Sequence, residues 1–294
     1  MKILHSLADW ARMVKLSHSV FALPFALAGA TLAAAEHGID VMQLLWIVVA
    51  MIGARNAAMG FNRLVDQHLD AANPRTAQRE LPAGKLSRSL VWVVTLALTA
   101  LFIFAAFKLN RLCGVLSPLA IVIIFGYSFT KRFTWASHLV LGLALAIAPV
   151  GGWAAIAGSF SIVPWLLAAA VLLWVAGFDV LYSCQDAEHD RRVGLFSIPS
   201  RFGLPRALWI SRALHLAAWL GLLAVGFVSA VHLSYWVGVA AIGGLLFWQH
   251  RLVRADDLSR LGVAFLNLNA IIAILYFFSV LTSVVLSATW GSHG

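Results

Sequence analysis

Residues 44–61 read LLWIVVAMIGARNAAMGF and run without a break into residues 62–70, NRLVDQHLD. The first part is an apolar run close to the length that a bilayer core demands, about 20 residues of helix. The second part ends it on two carboxylates, Asp66 and Asp70, spaced four apart. On a helix such residues stack one turn above the other. Like charges held that close repel, so they call for a positive group between them or for water.

Composition agrees with the apolar half of that reading. The chain has 294 residues, of which 62% are hydrophobic and 11% charged; a soluble domain carries about 25% charged residues. A soluble enzyme is excluded, and the expected fold is an all-α polytopic membrane protein. Nine apolar segments are long enough to cross a bilayer, at 16–36, 41–66, 89–108, 111–129, 135–157, 162–186, 206–231, 233–250 and 262–289. The loops are short, so a single membrane domain over 1–294 is expected. Pro24 and Pro118 fall inside spans, which membrane helices tolerate when neighbours satisfy the freed carbonyls. The first apolar run follows a mixed, amphipathic stretch and is long enough to span, so no cleavable signal peptide is expected. Cys113 and Cys184 are expected near opposite faces, as small apolar packing residues and not as a disulfide.

Lysine and arginine set the orientation. With the N-terminus inside, the cytoplasmic segments carry Lys2, Arg12, Lys15, Arg75, Arg79, Lys85, Arg88, Lys131, Arg132, Arg191, Arg192, Arg201, Arg206, Arg251, Arg254 and Arg260, sixteen in all, against Lys108 and Arg111 opposite. A multi-pass protein of the inner (cytoplasmic) membrane is expected, with its N-terminus cytoplasmic and its C-terminus outside. Trp46, Trp92, Trp135, Trp209, Trp236 and Trp290 suit interfacial anchors.

A second acidic pair, Asp186 and Asp190, closes the stretch DVLYSCQDAEHD, with Asp179 seven residues before Asp186. As one helix, those spacings keep all three on one face. Asp66 to Asp186 and Asp70 to Asp190 are both offsets of 120 residues. A basic loop follows each pair, AANPRTAQRELPAGKLS at 71–87 and AEHDRRVGLFSIPSRFGLP at 187–205. The pattern reads as two pseudo-repeats, each contributing one acidic helix end to a shared cavity on the cytoplasmic side.

Opposed acids beside basic loops suit diphosphate chemistry. Mg²⁺ prefers carboxylate oxygens and bridges them to substrate phosphates, while Arg75, Arg79, Lys131 and Arg132 can take up the remaining phosphate charge. Zinc would prefer Cys and His in tetrahedral sets. Here only His68 and His189 sit among an oxygen-rich set. Asn62 and Asp179 lie deeper in their spans, where polar groups are costly and usually functional. Arg55 and Arg63 are either their counter-charges or substrate groups.

These stretches are similar to a known family. NRLVDQHLDAANPRTAQRELPAG resembles the first motif of the UbiA superfamily of membrane prenyltransferases, N-D-x-x-D-x-x-x-D with a loop ending R-x-L-P-x-G. DVLYSCQDAEHDRRVGLFSIPSRFG resembles the second, and YSFTKRF at 127–133 resembles the Y-x-x-x-K-R loop between them. Arg63 stands where many members have the first Asp, which leaves Asn62, Asp66 and Asp70 as the metal ligands of that helix, opposite Asp186 and Asp190. The form F-N-R-x-x-D resembles the branch of 4-hydroxybenzoate polyprenyltransferase-like enzymes, which includes futalosine-route enzymes that act on a carboxylated dihydroxynaphthalene. The resemblance implies Mg²⁺-dependent transfer of a polyprenyl group from its diphosphate to an aromatic acid, with the lipid bilayer and no nucleic acid as partner. Lys131 and Arg132 then neutralise the departing oxygens, and Asp179 is a candidate base. Arg75 and Arg79 are candidates for the acceptor carboxylate, with His18 a weaker one. Tyr127, Tyr182, Phe61 and Phe178 are candidates to face a carbocation. The rival class is an ion- or proton-coupled transporter using the same intramembrane carboxylates; transporter sites, however, tend to lie at the midplane on broken helices.

Overall fold

The computed structural model describes the backbone of residues 9–14 and 21–291. Lys2, Lys15, His18 and the side chain of Trp290 lie outside the described residues. Eleven α-helices follow residue 21: α1 Leu23–His37, α2 Val41–Ala72, α3 Arg88–Leu109, α4 Arg111–Thr130, α5 Ser137–Ala157, α6 Ile162–Ser183, α7 Ala187–Val193, α8 Ile198–Phe202, α9 Leu204–Val228, α10 Leu233–Leu252 and α11 Asn269–Gly291. A 3₁₀ turn, Cys184–Asp186, joins α6 to α7, and a π-turn, Val263–Leu268, leads into α11. Among the described residues the only extended pairing is an isolated bridge between Arg254 and Asp257.

Seven of these segments are long and apolar enough to cross a membrane, against the nine expected: α2, α3, α4, α5, Ile162–Val193, α9 and Val263–Thr289. Two expected segments fall outside that set. The segment 16–36 begins on residues outside the described ones, and its helix α1 has 15 residues. Helix α10 has His232 and Ser234 at one end and Gln249, His250 and Arg251 at the other, which shortens its apolar stretch. Large apolar side chains such as Val93, Phe107, Val122, Phe227 and Phe247 point outward along the bundle, as lipid-facing helices require. The chain is a multi-pass helical membrane protein.

Local sequence places the helix ends. Asp40 and Gln43 form a capping box at the start of α2. Ser87 caps α3 by accepting from the Leu90 N–H, and Ser161 caps α6 by accepting from Val163. Asn110 serves two helices. It ends α3, its Oδ1 accepts from the Cys113 N–H of α4 at 2.9 Å, and its Nδ2 donates to the Ala154 carbonyl of α5 at 2.7 Å.

Helix α2 packs on α3, α5 on α6, α6 on α9, α10 on α11, and α1 closes back onto α5 and α11. Without a hydrophobic force between helices in lipid, close approach at small residues holds such pairs together. Gly152 of α5 lies against the Ala26 carbonyl and Gly29 of α1 against the Pro149 carbonyl, where an added Cβ would overlap the neighbouring backbone.

The two halves of the bundle differ. Between α1, α6, α9, α10 and α11 lies a solid core that includes Phe25, Trp174, Tyr235, Ile242 and Tyr276, with Phe25 stacked on Tyr276 at 5.3 Å between ring centres. Between α1, α2, α3, α4, α5 and α6 the helices stand apart around a cavity of about 920 Å³. The expected pseudo-repeats thus contribute unequally: among the described residues after Ser197, only Phe265 reaches the cavity wall.

Candidate active site

All five expected metal-binding side chains, Asn62, Asp66, Asp70, Asp186 and Asp190, line this one cavity, together with Asp179. Helix α2 runs on to Ala72 and carries the first three on successive turns. Asp66 and Asp70 are buried, their side chains 3% and 8% exposed. The repulsion between them is answered by separate cations. Lys131 Nζ lies 2.5 Å from Asp66 Oδ2 and Arg132 Nη2 lies 3.0 Å from Asp66 Oδ1. Arg79 Nη1 donates to Asp70 Oδ1 at 2.7 Å. The other oxygen, Asp70 Oδ2, is buried and has no hydrogen-bond partner; Arg63 Nη1 is 3.6 Å away. Asn62 Nδ2 donates to Asp66 Oδ2 at 3.1 Å.

The second acidic site differs from its expected form. Asp179 sits on α6, Asp186 in the 3₁₀ turn and Asp190 on α7, so the three do not share one regular helical face. Each meets its own partner. His138 Nδ1 is 2.7 Å from Asp179 Oδ2. Arg75 clasps Asp186 with Nε to Oδ1 at 2.9 Å and Nη2 to Oδ2 at 2.5 Å, and Asn73 Nδ2 adds a bond to Oδ1 at 3.1 Å. Ser197 Oγ donates to Asp190 Oδ2 at 3.0 Å. Burial pulls the Arg75 pKa down, but the hydrogen bonds and charge of Asp186 and the Tyr182 hydroxyl outweigh it, and the guanidinium stands above the usual arginine value.

The two sites are therefore joined directly. The loop after α2 reaches across through Asn73 and Arg75 to the turn after α6. Among the described residues no three acidic, His or Cys side chains form a ready-made metal cluster, because each carboxylate is drawn to a nearby donor or cation. The donor chemistry nevertheless fits a hard divalent ion: the set is oxygen-rich, buried, and keeps one orphaned carboxylate oxygen on Asp70. His68, considered for zinc, is not among the cavity-lining residues, while His189 is.

The cationic candidates separate by position. Lys131, Arg75, Arg79, Arg63 and Arg55 line the cavity; Arg132 does not. Arg132 instead ties α4 to α2, donating to the Ser128 carbonyl at 2.7 Å and the Val65 carbonyl at 3.0 Å. Arg55 Nη1 donates to the Val14 carbonyl at 2.8 Å, two turns deeper on α2 than Asn62. Of the aromatic candidates, Tyr127, Tyr182 and Phe178 face the cavity. Phe61 does not; it stacks on Phe125 at 4.1 Å. Tyr182 stacks on Phe265 at 4.1 Å and its hydroxyl accepts from Arg75 Nη1 at 3.2 Å.

Sequence reasoning missed His138, Asn73 and Ser197. His138 stands alone at the start of an apolar span, and its partner Asp179 is 41 residues away. Asn73 and Ser197 sit in the two loops already singled out, but without a spacing that marks them. The rest of the wall is largely apolar, with Leu116, Ile123, Leu145, Ile147 and Leu172 leading away from the charged end.

The arrangement can bind a polyanion at its charged end, hold an apolar chain along its wall, and keep water from a reactive carbon. Comparison with known proteins points the same way. A model described as the UbiA prenyltransferase family matches residues 22–290. A 4-hydroxybenzoate octaprenyltransferase from Vibrio cholerae serotype O1 is 32% identical over 266 residues, covering 89% of each chain, and one from Photobacterium profundum is 30% identical over 257 residues, covering 86% of this chain and 88% of the relative. Among solved structures, a UbiA homologue from Aeropyrum pernix K1 superposes with a TM-score of 0.83 at 33% identity, over 90% of this chain and 97% of that one. A UbiA homologue from Archaeoglobus fulgidus, solved with DMAPP and Mg²⁺, shares the fold with a TM-score of 0.73 at 18% identity, over 93% and 99%.

Proposed function

This chain belongs to the UbiA prenyltransferase family, and on that premise we propose that it transfers a polyprenyl group from polyprenyl diphosphate to an aromatic acid, 4-hydroxybenzoate or a carboxylated dihydroxynaphthalene, on the way to ubiquinone or menaquinone. The observation that carries this reading is the cavity itself: five aspartates with interleaved Arg and Lys at one end of an apolar chamber of about 920 Å³. The charged end suits the diphosphate and the apolar wall suits the prenyl chain. The whole chain, 1–294, acts as one domain. The excess of Lys and Arg in the loops at the charged end supports placing that end at the cytoplasmic face of the inner membrane.

Asn62, Asp66, Asp70, Asp186 and Asp190 would hold Mg²⁺, which when bound supplies Lewis-acid stabilisation to the leaving diphosphate. The chain's own residues do the rest. Lys131, Arg75 and Arg79 line the cavity on carboxylate partners, and their N–H donors serve phosphate oxygens as charge develops there. Tyr127, Tyr182 and Phe178 line the cavity, and their rings are assigned to the carbon that becomes electron-poor. Arg55 faces the part of the cavity lined by Met51, Ala54, Ala58 and Met59; we assign it the acceptor carboxylate and keep Arg75 and Arg79 with the diphosphate. Asp179 takes the ring proton.

The test is transfer by membranes carrying Asp66→Ala or Asp186→Ala, given Mg²⁺, a polyprenyl diphosphate and each aromatic acid, beside wild type with and without EDTA. Loss of product in both variants and on chelation is expected. Full activity in both variants, or indifference to EDTA, overturns the metal-diphosphate reading.

A further inference from the structure

We propose that His138 is the positioning residue for proton removal: it holds Asp179 so that one carboxylate oxygen is fixed and the other is left for the ring proton of the aromatic acceptor. This rests on the aromatic-acceptor reading above and deepens it. His138 opens α5 and its side chain is 4% exposed; Asp179, on α6, lines the cavity with its side chain 24% exposed. His138 Nδ1 is 2.7 Å from Asp179 Oδ2. On the far side of the ring, the backbone N–H of Ile198 points at His138 Nε2 across 3.2 Å.

A backbone N–H can only donate. Nε2 is therefore the acceptor, the proton of the neutral imidazole lies on Nδ1, and Nδ1–H donates to Asp179. A second proton on Nε2 would set two donors face to face in a buried place. His138 thus does not relay the proton; it orients the carboxylate that receives it. The same short stretch of backbone also fixes the donor side. The Phe196 N–H donates to the Lys131 carbonyl at 2.8 Å, and the Ser197 hydroxyl to Asp190 at 3.0 Å. Residues 196–198 therefore set the base, through His138, in register with the lysine and the aspartate at the charged end.

The step balances. The attacked ring carbon bonds to C1 of the prenyl group while the C1–O bond breaks, and diphosphate leaves with that electron pair. The proton on the attacked carbon passes to the free oxygen of Asp179, the C–H electrons restore the aromatic ring, and the proton leaves to water through the cavity.

The test uses full-length protein in lipid vesicles with a polyprenyl diphosphate, Mg²⁺, and 4-hydroxybenzoate or the carboxylated dihydroxynaphthalene carrying hydrogen or deuterium at the attacked carbon. In His138→Leu, kcat is expected to fall about tenfold or more, the KM for the diphosphate to hold, and a primary deuterium effect absent from wild type to appear. His138→Asn, whose amide N–H lies where Nδ1–H was, is expected to recover most of kcat and lose the isotope effect, while His138→Gln, whose amide reaches the Nε2 position, is not. An unchanged isotope effect in His138→Leu, or Gln matching Asn, overturns the role of His138 alone. A wild type that prenylates neither acid overturns the acceptor reading, and the role of His138 with it. Should the Leu variant not fold, the Asn and Gln pair decides.

Discussion

Arg75 and Asp186 face each other in a two-pronged contact, 2.9 Å and 2.5 Å, that ties the loop after the second helix to the turn after the sixth. Neither residue's local sequence requires the other. The contact brings the two acidic motifs onto one cavity, and its fork geometry is one that only arginine supplies.

Arg75→Lys keeps the charge and loses the fork. Because the guanidinium is about a third exposed, at 34%, solvent weakens the pair, and the expected loss is about tenfold in kcat/KM for the prenyl diphosphate, corresponding to roughly 1.4 kcal/mol. Arg75→Ala is expected to lose more than Arg75→Lys. Steady-state kinetics with varied diphosphate check both; equal activity in all three proteins would show that the latch does nothing for turnover.

Lys131 and Arg132 are neighbours with different duties. Lys131→Met removes the cavity's ammonium and is expected to cut kcat by about a hundredfold. Arg132→Met breaks bonds to the Ser128 and Val65 carbonyls and the contact with Asp66 Oδ1. It is expected to lower stability by on the order of 1–3 kcal/mol and to spare more of the activity. Thermal melts and assays on both variants separate the roles.

Much of the site was legible because acids that terminate apolar runs are conspicuous. Asp66, Asp70, Asp186 and Asp190 stood out by spacing, and all four line the cavity. What spacing could not show was the break after Ser183. The stretch YSCQDAEHD contains neither Pro nor Gly, yet the helix tightens to a 3₁₀ turn over Cys184–Asp186. That turn separates Asp179 from Asp186 and lets each meet a different element. His138 was invisible for the same reason: its meaning lies in a partner one helix away and in the Ile198 N–H. That Lys131 lines the cavity and Arg132 does not is likewise a tertiary fact, since the two neighbours carry the same charge. The fold class followed from composition alone.

Gly151 and Gly152 offer a paired test of the bundle. A Cβ on Gly152 would overlap the Ala26 carbonyl, whereas one on Gly151 meets nothing within 4 Å. Gly152→Ala is expected to force α1 from α5 and destabilise by about 1–3 kcal/mol, as overpacking does. Gly151→Ala is expected to leave the melting temperature unchanged. The comparison in detergent or vesicles checks it; equal melting temperatures would show that the α1–α5 crossing is looser than the backbone spacing requires.

Asn110 has a wider reach than its size suggests. Its backbone N–H finishes α3 on the Ala106 carbonyl, and its one carboxamide starts α4 and grips the last turn of α5. Three walls of the chamber are therefore pinned at a single rivet, at the far end from all the chemistry. A change there would slacken the vessel as a whole and leave every reacting group untouched, so damage to turnover from Asn110 would come from lost shape alone.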